Sequence, residues 1–273
     1  MPTSSNGARN IITFQKYVRP QTLEEAWELN QKRRNCIVAG MMWLKMSRRS
    51  LSTAIDLCDL GLDSIEETED EFHIGAMVTL RHLEKHPGLA AYSCGAVEAA
   101  LKDIVGVQFR NGATVGGSLW RRMGFSDVLT LFMAMDSYVE LYKGGIVALE
   151  EFASMKSDND ILVRLIIKKR PGAFAYQAVR KQRTDLPSLN CVAAKVGDEY
   201  RVVIGSRPAR AMVLRDEKGI LTGGIVQEST AAFADYAANN VAVAGNMWGS
   251  AEYRKALLAV LTRRALTALG EAL

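Results

Sequence analysis

Hydrophobic side chains recur at every second position in several stretches of this chain, the pattern of half-buried strands. Residues 161–168 place Ile161, Val163, Leu165 and Ile167 on one face and Arg164 and Lys168 on the other. Tyr138-Val139-Glu140-Leu141-Tyr142 alternates in the same way and runs into Lys143-Gly144-Gly145, a hairpin turn. Residues 65–71 and 72–76 read as a second hairpin. Residues 191–196 and 200–205, either side of Gly197-Asp198, read as a third. Residues 14–19 form a short extended segment and residues 36–39 a short buried strand. Residues 54–57 form a strand ending in a turn at Asp59-Leu60-Gly61.

Helix signals fill the intervals. Pro20-Gln21-Thr22 opens a helix over residues 23–34, with Glu24 and Glu25 in the first turn, where the helix dipole favours acids. Thr79 caps a helix over residues 80–85 that Pro87 ends. Residues 89–104, with Ala90, Ala91, Ala96, Ala99 and Ala100, read as one helix, and residues 128–135 and 229–238 as two more. The last helix starts at Gly249-Ser250-Ala251-Glu252-Tyr253-Arg254 and runs towards Leu269. Leu257, Leu258, Leu261, Ala265 and Leu269 form its apolar stripe, with Arg254, Lys255, Arg263 and Arg264 elsewhere. Lys169-Arg170-Pro171-Gly172, basic and then Pro-Gly, is the expected domain boundary. Periodicity alone therefore gives mixed α and β.

Composition narrows the function classes. A chain of 273 residues with 48% hydrophobic and 23% charged side chains has room for two domains and reads as an ordinary soluble protein. The net charge of +4 comes from 34 basic and 30 acidic residues, too balanced to argue for nucleic acid or a membrane surface. Residues 1–8 lack a basic-then-apolar leader pattern and no apolar run reaches membrane-spanning length, so a cytoplasmic protein is expected. Cys36, Cys58, Cys94 and Cys191 lie far apart, which argues against a zinc or iron–sulfur site within the chain. His82 and His86 have helical metal-ligand spacing, but no third ligand accompanies them and they read as surface histidines.

The stretch that carries chemistry is Gln108-Phe109-Arg110-Asn111-Gly112-Ala113-Thr114-Val115-Gly116-Gly117-Ser118-Leu119. Paired glycines let backbone approach a ligand, a neighbouring Thr or Ser adds a hydroxyl, and amides pointing one way suit phosphate oxygens. A plain tight turn is the alternative reading of Gly-Gly. The segment Arg110 onward resembles the second flavin-binding segment of the FAD (medium) subunits of molybdenum hydroxylases, the xanthine dehydrogenase and carbon monoxide dehydrogenase type. That family has an Ala-Thr-Ile-Gly-Gly-Asn-like turn around the FAD pyrophosphate, followed by a Ser-Asp pair whose carboxylate holds a ribose hydroxyl. Ser126-Asp127 stands at that distance here.

The resemblance runs from about Pro20 onward. Ile74-Gly75-Ala76-Met77-Val78-Thr79-Leu80, with Leu83 and Pro87, is similar to the family's link between its two flavin subdomains. Ala173-Phe174-Ala175-Tyr176 and residues 180–185 resemble the opening of its C-terminal domain. Gln177 and Ala178 stand there in place of a Lys, and Arg180, Lys181 and Arg183 read as solvated basic surface. Gly249-Ser250-Ala251-Glu252-Tyr253-Arg254 is close to the family's C-terminal signature. At the family's first flavin motif, Ala-Gly-Gly-Thr-Asp-Leu, the residues Ala39, Gly40 and Leu44 match, while Met41, Met42 and Trp43 replace Gly, Thr and Asp.

The resemblance implies an α+β protein: a two-subdomain FAD-binding fold of the vanillyl-alcohol oxidase and p-cresol methylhydroxylase type over residues 1–171, divided near residue 60, and a CO-dehydrogenase-flavoprotein-like domain over residues 172–273. It implies FAD as cofactor, with Val38, Ala39, Gly40, Met41, Met42, Ala113, Thr114, Gly116, Gly117, Ser118 and Asp127 as its binding residues. The implied role is electron transfer, from an iron–sulfur partner subunit beside a molybdopterin subunit to NAD or another acceptor. No Ser/His/Asp, Cys/His or paired-carboxylate constellation suggests other chemistry. The altered first motif keeps a second reading open, a flavin-free structural subunit of the same complex.

Overall fold

The structure is a computed structural model and describes residues 11–273, so the reading of residues 1–8 lies outside the described residues. The chain builds three sheets in succession. The first is parallel. Strand β1 (Thr13–Val18) leads through helix α1 (Leu23–Asn30) to β2 (Asn35–Val38), and β3 (Ser50–Asp56) inserts between them in the order β1-β3-β2. Thr22 caps α1 by accepting from the Glu25 amide. The helix stops at Asn30, short of the expected residue 34. Leu29 is its last apolar anchor; Lys32, Arg33 and Arg34 are exposed and have nothing to bury, and Asn35 donates its side-chain amide to the Leu29 carbonyl at 2.8 Å.

The second sheet is antiparallel: β4 (Ile65–Glu67), β5 (Glu71–Gly75), β6 (Ser137–Leu141), β7 (Gly145–Ala148) and β8 (Leu162–Lys168), ordered β4-β5-β8-β6-β7. Between β5 and β6 run α2 (Leu80–Lys85), α3 (Pro87–Tyr92), α4 (Ala96–Leu101), α5 (Val107–Gly112), α6 (Val115–Trp120) and α7 (Asp127–Met133), and α8 (Leu149–Ser154) follows β7. The single helix expected over residues 89–104 is two. Cys94 and Gly95 adopt positive φ (52° and 78°), and the Gly95 amide bonds back to the Ala90 carbonyl at 2.9 Å, a left-handed cap that ends α3. Pro87 opens α3 rather than merely ending α2, with His86 accepting from the Leu89 amide as N-cap. Of the two histidines read as surface groups, His82 is exposed and His86 is half-buried in this cap.

The third sheet is antiparallel in the order β12-β11-β10-β9, from β9 (Gly172–Arg180), β10 (Pro187–Val196), β11 (Glu199–Gly205) and β12 (Met212–Arg215), with α9 (Gln227–Asn240) and α10 (Ala251–Ala272) after it. Its alternation divides it between two cores. Phe174, Val192, Ala194 and Val203 join the core under α4 and α7. Cys191, Ala193, Val202 and Ile204 face Phe233, Leu258, Leu261, Ala265 and Leu269. Arg254, expected on the polar side of α10, is 1% exposed. Its guanidinium donates to the carbonyls of Ser188, Ser206, Ala244 and Gly249 and to Asn246 Oδ1, so burial is matched by acceptors. No helix among the described residues is long and apolar enough to cross a membrane.

Candidate cofactor site

Two chain-distant loops meet at one place. Strand β2 ends at buried Val38, and the chain continues through Ala39, Gly40, Met41, Met42 and Trp43. A Cβ on Gly40 would stand 1.6 Å from the Gly112 carbonyl oxygen, so only glycine permits this backbone contact. Met42 lies on the bare face of Gly112, its methyl carbon 2.5 Å from where a Cβ would be. Met41 holds φ 55°, a left-handed conformation that favours glycine and costs other residues about 1 kcal/mol. The turn thus keeps a glycine-type backbone at a position now filled by methionine. Among the described residues, the amides of Gly40, Met41, Met42 and Trp43 meet no hydrogen-bond acceptor. Successive unengaged amides around a left-handed residue are the backbone type from which anion-binding concavities are built.

The second segment is organised differently from the turn its sequence suggested. Gly116 and Gly117 lie in the first turn of α6, capped by Thr114, whose Oγ1 accepts from the Gly117 amide at 3.1 Å. Val115 donates to the Val78 carbonyl (2.9 Å), Gly116 to Ala76 (2.8 Å) and Ser118 to Thr114 (3.0 Å). All four amides are therefore spent inside the protein. Gly116 is required by packing, since a Cβ there would meet Ala76 at 2.8–2.9 Å. Gly117 is exposed, and a Cβ there would meet only Thr114 Oγ1, at 3.2 Å. What this segment leaves for a ligand is the uncovered face of Gly117, the Thr114 hydroxyl proton and Ser118 Oγ, which itself donates to the Thr114 carbonyl at 2.8 Å. Ala113 accepts from the Leu80 amide and fixes the start of the segment.

Ser126 caps α7 and also donates to the Ser118 carbonyl at 3.1 Å, tying the two segments together. Asp127 follows it and is 5% exposed. Its Oδ1 accepts from the Tyr176 hydroxyl (2.5 Å) and the Asn190 side-chain amide (2.7 Å), and its Oδ2 from Arg180 (2.8 Å). Arg180 is therefore no solvated surface cation; its side chain is 8% exposed in this ion pair. Lys181 and Arg183 do stay at the surface. Burial, with the neighbouring Asp127 charge, pushes the Tyr176 phenol well above its ordinary pKa. Tyr176, Arg180 and Asn190 were missed as site neighbours. The available signals were the even spacing of Tyr176 and Arg180 along one strand and a lone Asn in the apolar run of β10.

An aromatic group borders the first loop. The Trp43 indole, 53% exposed, has its centroid 6.5 Å from Phe109 in an edge-on contact and 6.2 Å from Phe125. Trp120 is part-buried against Phe152 instead.

Comparison with known proteins fits this arrangement. The family described as the FAD binding domain in molybdopterin dehydrogenase matches residues 12–169, and the CO dehydrogenase flavoprotein C-terminal domain matches residues 174–269. The chain belongs to this family of oxidoreductase components, and FAD is its cofactor. The nicotine 6-hydroxylase medium subunit of Paenarthrobacter nicotinovorans is 24% identical over 275 residues, 93% of this chain and 97% of that one. The protein YgfM of Escherichia coli K12 is 25% identical, covering 91% of this chain and 93% of its own. Among solved structures, quinoline 2-oxidoreductase from Pseudomonas putida 86 has a chain of the same fold (TM-score 0.84, 21% identity, 95% of this chain and 97% of that one). Carbon monoxide dehydrogenase from Hydrogenophaga pseudoflava has another (TM-score 0.81, 23% identity, 93% and 96%). The residues present fit FAD through backbone: the unengaged amides of residues 40–43 are donors of the kind a pyrophosphate takes, and they do not depend on the replaced side chains.

Proposed function

We propose that this chain is the FAD-carrying electron-transfer subunit of a molybdopterin-dependent dehydrogenase. The observation that carries the reading is the loop of residues 40–43, whose free amides and left-handed Met41 stand against Gly112 beside the second segment. In this reading Val38, Ala39, Gly40, Met41 and Met42 hold the pyrophosphate from one side. Ala113, Thr114, Gly117 and Ser118 close it from the other, and Gly116 seats α6 on Ala76. Asp127 Oδ2, with one protein donor, keeps a lone pair for a ribose hydroxyl. When bound, FAD supplies the exchange between one-electron and two-electron carriers. The chain itself binds and orients, and no side chain is assigned as acid, base or nucleophile.

The same reading adopts the two-subdomain fold of the vanillyl-alcohol oxidase type for residues 1–171, divided near residue 60, with residues 172–273 as a separate domain. The relatives include a medium subunit, and the similar solved structures include a Cu,Mo carbon monoxide dehydrogenase. By that likeness the partners are an iron–sulfur subunit that delivers electrons and a molybdopterin subunit that oxidises the substrate, with NAD or another molecule as acceptor. Four free cysteines suit the reducing cytoplasm. The test is the absorption spectrum of the purified full-length chain. Flavin bands at close to one FAD per chain are expected. A colourless chain that takes up no added FAD would favour the flavin-free structural reading.

A further inference from the structure

We infer that Trp43 is a stacking platform for an aromatic ring of the bound dinucleotide. The inference rests on the FAD reading and adds to it a side chain that the family motif does not provide. Three residues from separate parts of the chain make the platform. Trp43 comes from the loop after β2, Phe109 from α5 ahead of the second segment, and Phe125 from the loop that leads to Ser126. Phe109 meets the indole nearly edge-on, at 84° between planes, and Phe125 is tilted at 51°. Both pack against the indole, while 53% of Trp43 stays exposed.

The position of that open surface gives it a ligand class. Trp43 lies within the run of residues 39–44, whose amides meet no acceptor among the described residues. An anion cradle and a fixed, half-open indole thus belong to one short loop. A phosphate next to an aromatic ring is the chemistry of a nucleotide, and stacking on tryptophan tolerates any ring with a π-face. The indole belongs to none of the three buried hydrophobic clusters. Adenine and isoalloxazine share this chemistry, and the two halves of FAD can be supplied separately.

The experiment uses the full-length chain stripped of flavin and titrated with FAD, ADP and FMN while tryptophan emission is followed. FAD is expected to quench the emission, and the fragment that reproduces the quench identifies the ring. In Trp43→Phe most of that quench should disappear with FAD affinity kept within a few fold. In Trp43→Ala affinity should fall about tenfold or more, as loss of one stacked ring does. Circular dichroism of both variants guards against misfolding, and the Trp43→Phe titration stands even if Trp43→Ala fails to fold. FAD bound equally well by wild type and Trp43→Ala, with an unchanged quench in Trp43→Phe, would overturn the inference while leaving the flavin reading intact. A wild-type chain that takes up no FAD would overturn both.

Discussion

Gly40 and Gly112 touch through their backbones, and no other residue fits between them: a Cβ on Gly40 would stand 1.6 Å from the Gly112 carbonyl oxygen. The contact joins the loop after β2 to the segment that enters α6, so it sets the distance between the two halves of the proposed cradle. Gly40→Ala should push the loop away. Overpacking of this kind costs about 1–3 kcal/mol, and FAD affinity should fall by more than that stability loss explains. Equilibrium unfolding in urea, set beside flavin retention after gel filtration, measures both. Retention at wild-type stoichiometry would mean that the contact is architectural alone.

Gly117 gives the opposite sign. It sits inside the first turn of a helix, where alanine is preferred by roughly 0.5–1 kcal/mol, and a Cβ there meets only Thr114 Oγ1. Gly117→Ala should therefore leave the melting temperature unchanged or slightly raised while weakening FAD, and Gly117→Val should weaken it further. A stabilised variant that binds FAD as wild type does would remove this residue from the site.

The divided outcome for the two glycines explains how much of the site was legible. Glycine, threonine and serine in sequence announced a backbone feature around residues 114–118, and the helix and sheet periodicities placed most elements near their observed bounds. Where the amides point was not legible. It depends on the bridge between Thr79 and Thr114 and on the carbonyls of Ala76 and Val78, which are tertiary contacts. The free amides lie instead in the loop whose side chains depart most from the family pattern, and backbone donors do not depend on side-chain identity. Arg180 and Arg254 misled for a related reason: a basic residue reads as solvated until its acceptors, supplied by distant strands and loops, are known.

The Asp127–Arg180 pair should be costly to break singly. Removing the cation leaves a buried carboxylate with only the Tyr176 and Asn190 donors. Losses of about 3–5 kcal/mol follow such truncations. Arg180→Met should show a loss of that order in urea unfolding, and Asp127→Asn with Arg180→Met together should cost less than the sum of the single changes. Additive effects would mean that the two groups do not interact as the geometry states.

Alkaline pH provides a test of the third sheet. Burial raises the Cys191 thiol from an ordinary 9.0 to about 12. The folded state keeps the proton to higher pH than the unfolded state does, so this contribution is complete below pH 9 and is lost as pH climbs towards 12. Each pH unit climbed between those two values removes about 1.4 kcal/mol. The wild type should therefore lose roughly 2–3 kcal/mol from this group between about pH 8 and about pH 11. The Tyr176 phenol adds to the loss in the same direction above its ordinary 10.0. Cys191→Ala should be less stable at the lower pH but show a smaller drop between the two pH values. An equal drop in both proteins would place the thiol in a wetter environment than β10 provides.

The last expectation concerns what the chain does without partners. Its thiols are separated: Cys191 is buried in β10, Cys36 lies in β2, and Cys58 and Cys94 are exposed on other segments. They cannot share one cluster, so electrons for a bound flavin have to be delivered by another protein or by a soluble donor. The purified chain reconstituted with FAD should therefore show at most slow dye reduction with NADH and no hydroxylation of purines, aldehydes or N-heterocycles. Co-expression with candidate iron–sulfur and molybdopterin subunits should yield a complex of the three chains in which flavin absorbance bleaches when substrate is added. Substrate hydroxylation by the isolated chain would contradict the electron-transfer role outright. A complex that forms and turns over with no flavin absorbance would instead assign the chain a structural role.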